Sequence, residues 1–201
     1  MLFSLVYVAV SVASLVPAVA GVPVCRKCPA TKHDDGPEYV CEDKRLGPVV
    51  LSTRTPELKL LLANYDPLGG LCPEEWLMKY TYTNGSIHYP DGNGFELSAA
   101  GTPIKENKVL PAGTLLDRFG RETGSYLSPL HTPANQRSLA PSSFDPPAEY
   151  HVYKVLTELA VEEGKTAPWF GQPGLGIQYH LSVGVSTLLG KNLTEISEEP
   201  I

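Results

Sequence analysis

Asp117-Arg118-Phe119-Gly120 places a guanidinium beside an aromatic ring, where a short apolar run meets a glycine. The planar fork of arginine donors suits a phosphate or carboxylate, and the adjacent ring offers a face to a flat heterocycle. A nucleotide would use both. The competing reading makes Phe119 core and pairs Arg118 with Asp117 or Glu122 at the surface, and the tetrapeptide alone favours that plainer role. A second arginine, Arg137, ends Thr132-Pro133-Ala134-Asn135-Gln136-Arg137, a stretch too polar and too proline-bound to be core. Two arginines drawn together by the fold would clamp a pyrophosphate, whereas Arg137 alone is an ordinary loop cation. The third element is GQPGLGIQY at 171–179, whose three glycines let backbone approach a ligand and which delivers Gln178 onto a strand face. It is not a dinucleotide fingerprint, because it precedes a strand rather than opening a helix. The sequence contains no Walker loop, HExxH or G-x-S-x-G elbow.

Strands must present these residues. Leu115–Phe119 and residues 150–156 read as strands, and residues 177–185 alternate so that Ile177, Tyr179, Leu181, Val183 and Val185 share one face while Gln178 points away from it. Residues 76–83 also alternate, and the following Asn84-Gly85 predicts a tight hairpin. One amphipathic helix is expected after Thr55 as N-cap and Pro56 as first helical residue; it buries Leu58, Leu61 and Leu62 before Asp66-Pro67 stops it. No helix longer than three turns is evident after residue 70. The fold class is therefore mainly β (α+β), a twisted antiparallel sheet or partly open barrel. Residues 21–75 hold every cysteine and form a small disulfide-stapled N-terminal subdomain, and residues 76–201 form the domain that carries the site.

The first twenty residues carry no charged side chain and end in Ala18-Val19-Ala20, the small-x-small pattern of a cleaved secretory signal peptide. An uncleaved N-terminal anchor is the alternative, since the leader lacks a basic residue. No other segment approaches the roughly eighteen apolar residues of a membrane span. Export to an extracellular location would oxidise Cys25, Cys28, Cys41 and Cys72 into two disulfides, with three connectivities open. The spacing Cys25-x-x-Cys28 also matches half a zinc site, but no second close pair completes it. The sequons at Asn84 and Asn192 agree with export. A net charge of −6 and a pI near 5.4, with no basic run, exclude a nucleic-acid partner. The five histidines are scattered without the spacing of a helical metal site, so no metal ligands are assigned.

The ordered motifs LPAGTLLDRFG, ETGSYLSP, TPANQRSLAP and APWFGQPGLGIQY resemble the secreted NAD glycohydrolases of the tuberculosis necrotizing toxin domain family, in particular the fungal surface NADases. The resemblance spans roughly residues 89–190, and the cysteine-bearing segment before it looks like the N-terminal appendage of the fungal branch. It implies hydrolysis of the nicotinamide–ribose bond of NAD and of NADP, giving nicotinamide and ADP-ribose or its phosphate. It further implies that Arg118 binds the diphosphate, Phe119 stacks on nicotinamide, Arg137 makes the second phosphate contact, and Gln178 lies near the ribose at the scissile bond. Tyr126 and Trp169 sit in matching segments and are expected to line the pocket.

Such a reaction suits these residues. Most glycosidases need a carboxylate pair, one of them to protonate the leaving oxygen. Nicotinamide leaves NAD neutral and needs no general acid, so orientation and electrostatics can carry the chemistry. Some fungal members end in an acidic extension that binds calcium and supports dimerisation. Here the acidic residues Glu195, Glu198 and Glu199 leave calcium and a homodimer open without a ligand assignment. Two rival readings stand beside the hydrolase. One is a non-catalytic secreted nucleotide- or surface-binding protein. The other is ADP-ribosyl transfer to a protein, for which Glu122 and Glu149 are the candidate glutamates.

Overall fold

The computed structural model describes residues 28–29, 33–145 and 149–196. The leader expected at 1–20, Cys25, Glu198 and Glu199 lie outside the described residues. The body is one seven-stranded sheet of order β1-β5-β6-β3-β2-β4-β7, antiparallel at every pairing. Its strands are β1 Lys105–Leu110, β2 Leu115–Phe119, β3 Tyr126–Pro129, β4 Tyr150–Val155, β5 Leu159–Lys165, β6 Ile177–His180 and β7 Leu193–Ile196. Two short helices, α1 Pro56–Leu61 and α2 Pro73–Tyr80, precede the sheet. This is the mainly β, open antiparallel architecture that the alternating segments predict.

The pleat sends successive side chains to opposite faces, and each face of the centre has its own partner. Leu116, Leu127, Tyr153, Val155, Tyr179 and Leu181 meet on one face in a continuous core. On the opposite face α1 packs Leu61, Leu62 and nearby Tyr65 against Phe119, Ala134 and Phe144. The start of α1 follows its capping residues, since Thr55 Oγ1 accepts the Leu58 N–H at 3.2 Å and Pro56 takes the first turn. Such a cap contributes about 1 kcal/mol. A disulfide joins Cys28 to Cys41 and Cys72 is disulfide-bonded as well. By closing a short loop the first bond contributes on the order of 3 kcal/mol.

The alternation at residues 76–83 does not make a strand. Residues 73–80 form α2, because Pro73 occupies the first turn and Glu75 accepts the Cys72 N–H at 3.0 Å, as in a capping box. Trp76, Leu77 and Tyr80 then fall on one helical face and pack with Leu46, Ala140 and Phe170, while Met78, an expected neighbour of Trp76 on the strand, is 72% exposed. The Asn84-Gly85 turn does form, closed by the Tyr82 N–H to Ser86 carbonyl bond at 2.9 Å, and its arms continue through the Thr81–Ile87 bridge to the His88 N–H to Tyr80 carbonyl bond at 2.8 Å without building a strand pair. Similarly, β6 ends at His180. Leu181 and Val185 still reach the core, but from a turn, and Val183 is exposed.

Candidate active site

Two rows of side chains cross the face of the sheet that lies away from the aliphatic core. Asp117 on β2 pairs in register with Ser128 on β3, and one residue beyond the Leu127–Tyr179 pair the register sets Ser128 beside Gln178 on β6. The neighbouring row runs from Phe119 through Tyr126 to His180, which pairs with Tyr126, and on to Glu162. Gly164 on β5 pairs with Gln178, and its lack of a side chain is required: a Cβ there would collide with the Phe95 ring and the Ile104 carbonyl. Phe95, fully buried in that space, anchors the preceding Gly92–Gly94 turn over the sheet. The turn, the ends of β2 and β3 and the Arg137 segment enclose a cleft of about 710 Å³. That is within the range of small-molecule sites, about 300–1,000 Å³.

Five of the six residues expected at the site line this cleft: Arg118, Phe119, Tyr126, Arg137 and Gln178. Trp169 does not. Its indole N–H donates to the His88 carbonyl at 2.8 Å and its ring packs on Tyr80, His88 and Phe170, so it joins α2 to the glycine loop. An aromatic among glycines reads as a pocket wall in sequence, but α2 provides an apolar surface that takes it up instead.

The two arginines are held in different electrostatic states. Arg137 is buried and paired with the fully buried Asp117, Nη1 to Oδ1 at 2.6 Å, and donates from Nε and Nη2 to the Thr132 carbonyl. Its guanidinium also lies 5.1 Å from the Phe119 ring centroid. Asp117 further accepts the His131 N–H and the Tyr150 hydroxyl, each at 2.9 Å. Burial, reinforced by that carboxylate, pushes the Tyr150 hydroxyl well above its ordinary pKa and keeps it a donor. The same hydroxyl touches Glu57 of α1, which pairs with His131, so the N-terminal helix buttresses the site.

Arg118 has no ion pair among the described residues, neither with Asp117 nor with Glu122. Its Nε donates to the Arg121 carbonyl at 2.9 Å and its Nη1 to the Tyr126 carbonyl at 2.8 Å. Burial holds the guanidinium below its ordinary pKa, and the contacting groups are dipoles, so its positive charge remains available to an anion. Gly124 is its bed, where any Cβ would overlap the guanidinium. Phe119 is clamped by Phe144 and Tyr150 at ring-centroid distances of 5.2 and 4.9 Å. Gln178 is 9% exposed and donates from Nε2 to the Asn93 carbonyl at 3.0 Å, which turns Oε1 into an acceptor with no protein partner among the described residues. Among the described residues the cleft holds no acid–base carboxylate pair, and Asp117 is engaged by its three donors.

Sequence reading missed the turn that fixes Gln178, although Gly92-Asn93-Gly94 carries a signal: Asn93 adopts φ 58°, a conformation that asparagine tolerates. Ser128 carried no signal, since it becomes a site residue only through strand pairing. Of the sequons, Asn84 is exposed in its turn, while the Asn192 side-chain amide is bonded to Thr157 and the Glu158 carbonyl. Away from the cleft, candidate ligand atoms of Glu122, His151 and Glu195 lie within 4.8 Å of one another. The imidazole in that set suits borderline transition metals better than calcium.

Residues 109–196 match the family model described as tuberculosis necrotizing toxin. This chain carries a tuberculosis necrotizing toxin domain. It is 47% identical over 149 residues to the conidial surface nicotinamide adenine dinucleotide glycohydrolase nadA of Aspergillus fumigatus, covering 70% of this chain and 63% of that protein. The chain thus spans less than two thirds of its relative's length. The solved structure of tuberculosis necrotizing toxin, complexed with its immunity factor, matches with a TM-score of 0.50 at 22% identity, covering 70% of this chain and 79% of the toxin. That likeness is one of fold. The domain match contains Arg118, Phe119, Tyr126, Arg137 and Gln178, while the cleft residues Tyr89–Gly94 precede it.

Proposed function

We infer that this chain is a secreted NAD(P) glycohydrolase that cleaves the nicotinamide–ribose bond and acts at the cell surface or outside it. The observation that carries the reading is a single cleft in which an unpaired guanidinium, a clamped aromatic ring and a free amide oxygen converge. The diphosphate takes the Arg118 guanidinium, with Arg137, already neutralised by Asp117, as the weaker second contact. Nicotinamide stacks on Phe119. Gln178 Oε1 faces the nicotinamide ribose, where its partial negative charge stabilises the oxocarbenium-like transition state. The C1′–N bond breaks with both electrons passing to the pyridinium ring, so nicotinamide leaves neutral and no general acid is called for. The engagement of the Asp117 carboxylate by Arg137, His131 and Tyr150 is consistent with that route. The name of the Aspergillus relative and the domain match support it.

The test is direct. The purified chain is incubated with NAD, and in parallel with NADP, and free nicotinamide is measured against ADP-ribose or its phosphate. Equimolar appearance of both products is expected. Tight NAD binding without nicotinamide release would instead establish a nucleotide-binding protein.

A further inference from the structure

Beneath the main cleft lies a recess of about 50 Å³. It shares Arg118, Phe119, Tyr126, Arg137, Leu139 and Gln178 with the cleft, and its floor is made by Asp117, Leu127, Ser128 and Thr166, which the cleft itself does not reach. The recess has room for one or two waters, each of which occupies about 30 Å³ in the liquid. It is too small for a pyridine ring. On its floor, the Asp117 carboxylate is engaged by Arg137, His131 and Tyr150, and Thr166 Oγ1 donates to the Gln136 carbonyl at 2.6 Å. Ser128 is 5% exposed, yet among the described residues its hydroxyl has no hydrogen-bond partner. Unlike Asp117 Oδ1, the oxygen itself is not sealed inside the protein, so water in the recess reaches it and supplies the missing partner. The strand register sets this hydroxyl beside Gln178, whose Oε1 is likewise unpartnered.

Resting on the hydrolase reading above, we propose that Ser128 Oγ and Gln178 Oε1 together hold the attacking water in this recess. Ser128 is then a further catalytic residue. With its two O–H bonds given to these two acceptors, the water directs a lone pair at the anomeric carbon. As the C1′–N bond breaks and its electron pair leaves with nicotinamide, the water oxygen forms the new C1′–O bond. The surplus proton passes from that oxygen to bulk water in the cleft. The recess admits water and excludes larger nucleophiles, which must approach through the cleft, so the same geometry makes the enzyme a hydrolase in preference to a transferase.

The experiment follows the fate of the ribosyl cation. Full-length wild-type protein, Ser128→Ala and Ser128→Cys are incubated with NAD in the presence of 3-acetylpyridine, and hydrolysis is measured against base exchange. Release of nicotinamide by the wild type tests the hydrolase reading itself. For the proposal, both variants are expected to raise the exchange-to-hydrolysis ratio about tenfold, the effect of one lost hydrogen bond to a reacting group. The melting temperature of Ser128→Cys, which replaces the hydroxyl by a slightly larger thiol beside the open recess, should stay close to wild type. A wild-type enzyme that releases nicotinamide, with both variants showing an unchanged partition ratio, would overturn the assignment of Ser128 and leave the hydrolase reading standing.

Discussion

On one face of the sheet Leu116, Leu127 and Tyr179 close into an aliphatic and aromatic core; on the other, one residue away along the same strands, Asp117, Ser128 and Gln178 stand in a row. All six are buried. The first face needs only volume and apolar surface, which hydrophobic residues of similar size supply interchangeably. The second keeps polar side chains out of water, at a cost of about 1–3 kcal/mol for each buried group left without a partner. Asp117 offsets much of that cost through the Arg137 ion pair at Oδ1 and the His131 N–H and Tyr150 hydroxyl at Oδ2. Ser128 Oγ and Gln178 Oε1 have no such partners among the described residues, and both side chains border the recess. A fold selected for stability alone would fill such a row with valine or leucine. The difference between the faces separates residues that hold the protein together from residues that act on a ligand.

Substitutions can break that separation or sharpen it. Asp117→Ala should have the largest effect, because it belongs to both categories: it strands the Arg137 charge in the interior and removes the anchor of the site. Loss of a partner in a buried ion pair costs about 3–5 kcal/mol, read from the shift of the urea midpoint. Next, Leu116→Ala on the aliphatic face should cost about 2–5 kcal/mol while leaving the KM for NAD unchanged below its lowered melting temperature. Arg118→Ala should do the reverse. With no ion pair to lose it should melt like wild type, whereas the KM for NAD rises on the order of 10- to 100-fold, the loss of one charged hydrogen-bonding contact.

The smallest effect concerns a region remote from both faces. Burial raises the Asp43 carboxyl, but hydrogen bonds and charge from Arg45 outweigh it and hold its pKa below the ordinary value. Its contribution to stability is therefore complete above about pH 4, the unfolded value, and is lost as pH falls through the lower native value. Asp43→Asn should flatten the acid limb of the melting curve and leave turnover at neutral pH untouched.

Legibility in the sequence follows the range of the interactions. Strands β2 and β4 and the capped start of α1 were readable because short apolar runs between turn residues and Thr55-Pro56 are local signals. Helix α2 was not, since Trp76 and Tyr80 satisfy both a two-residue and a four-residue repeat, and cysteine is an unusual N-cap. Strand β1 carries almost no apolar pattern; its Lys105 and Lys108 are held by Glu162 and Glu163 across the pair with β5. At the site, the order of Arg118, Arg137 and Gln178 along the chain was legible through family resemblance. The ion pair that neutralises Arg137 and the placement of Ser128 depend on β3 lying between β2 and β6, a pairing that local periodicity does not encode.

The most direct test of the division between the two faces is nicotinamide release from NAD by Gln178→Ala, measured per mole of natively folded protein beside the wild type. A loss of at least about 100-fold is expected, typical of removing a group that stabilises the transition state, with a melting temperature near that of the wild type. Wild-type turnover in this variant would show that the polar row is not the site of the chemistry.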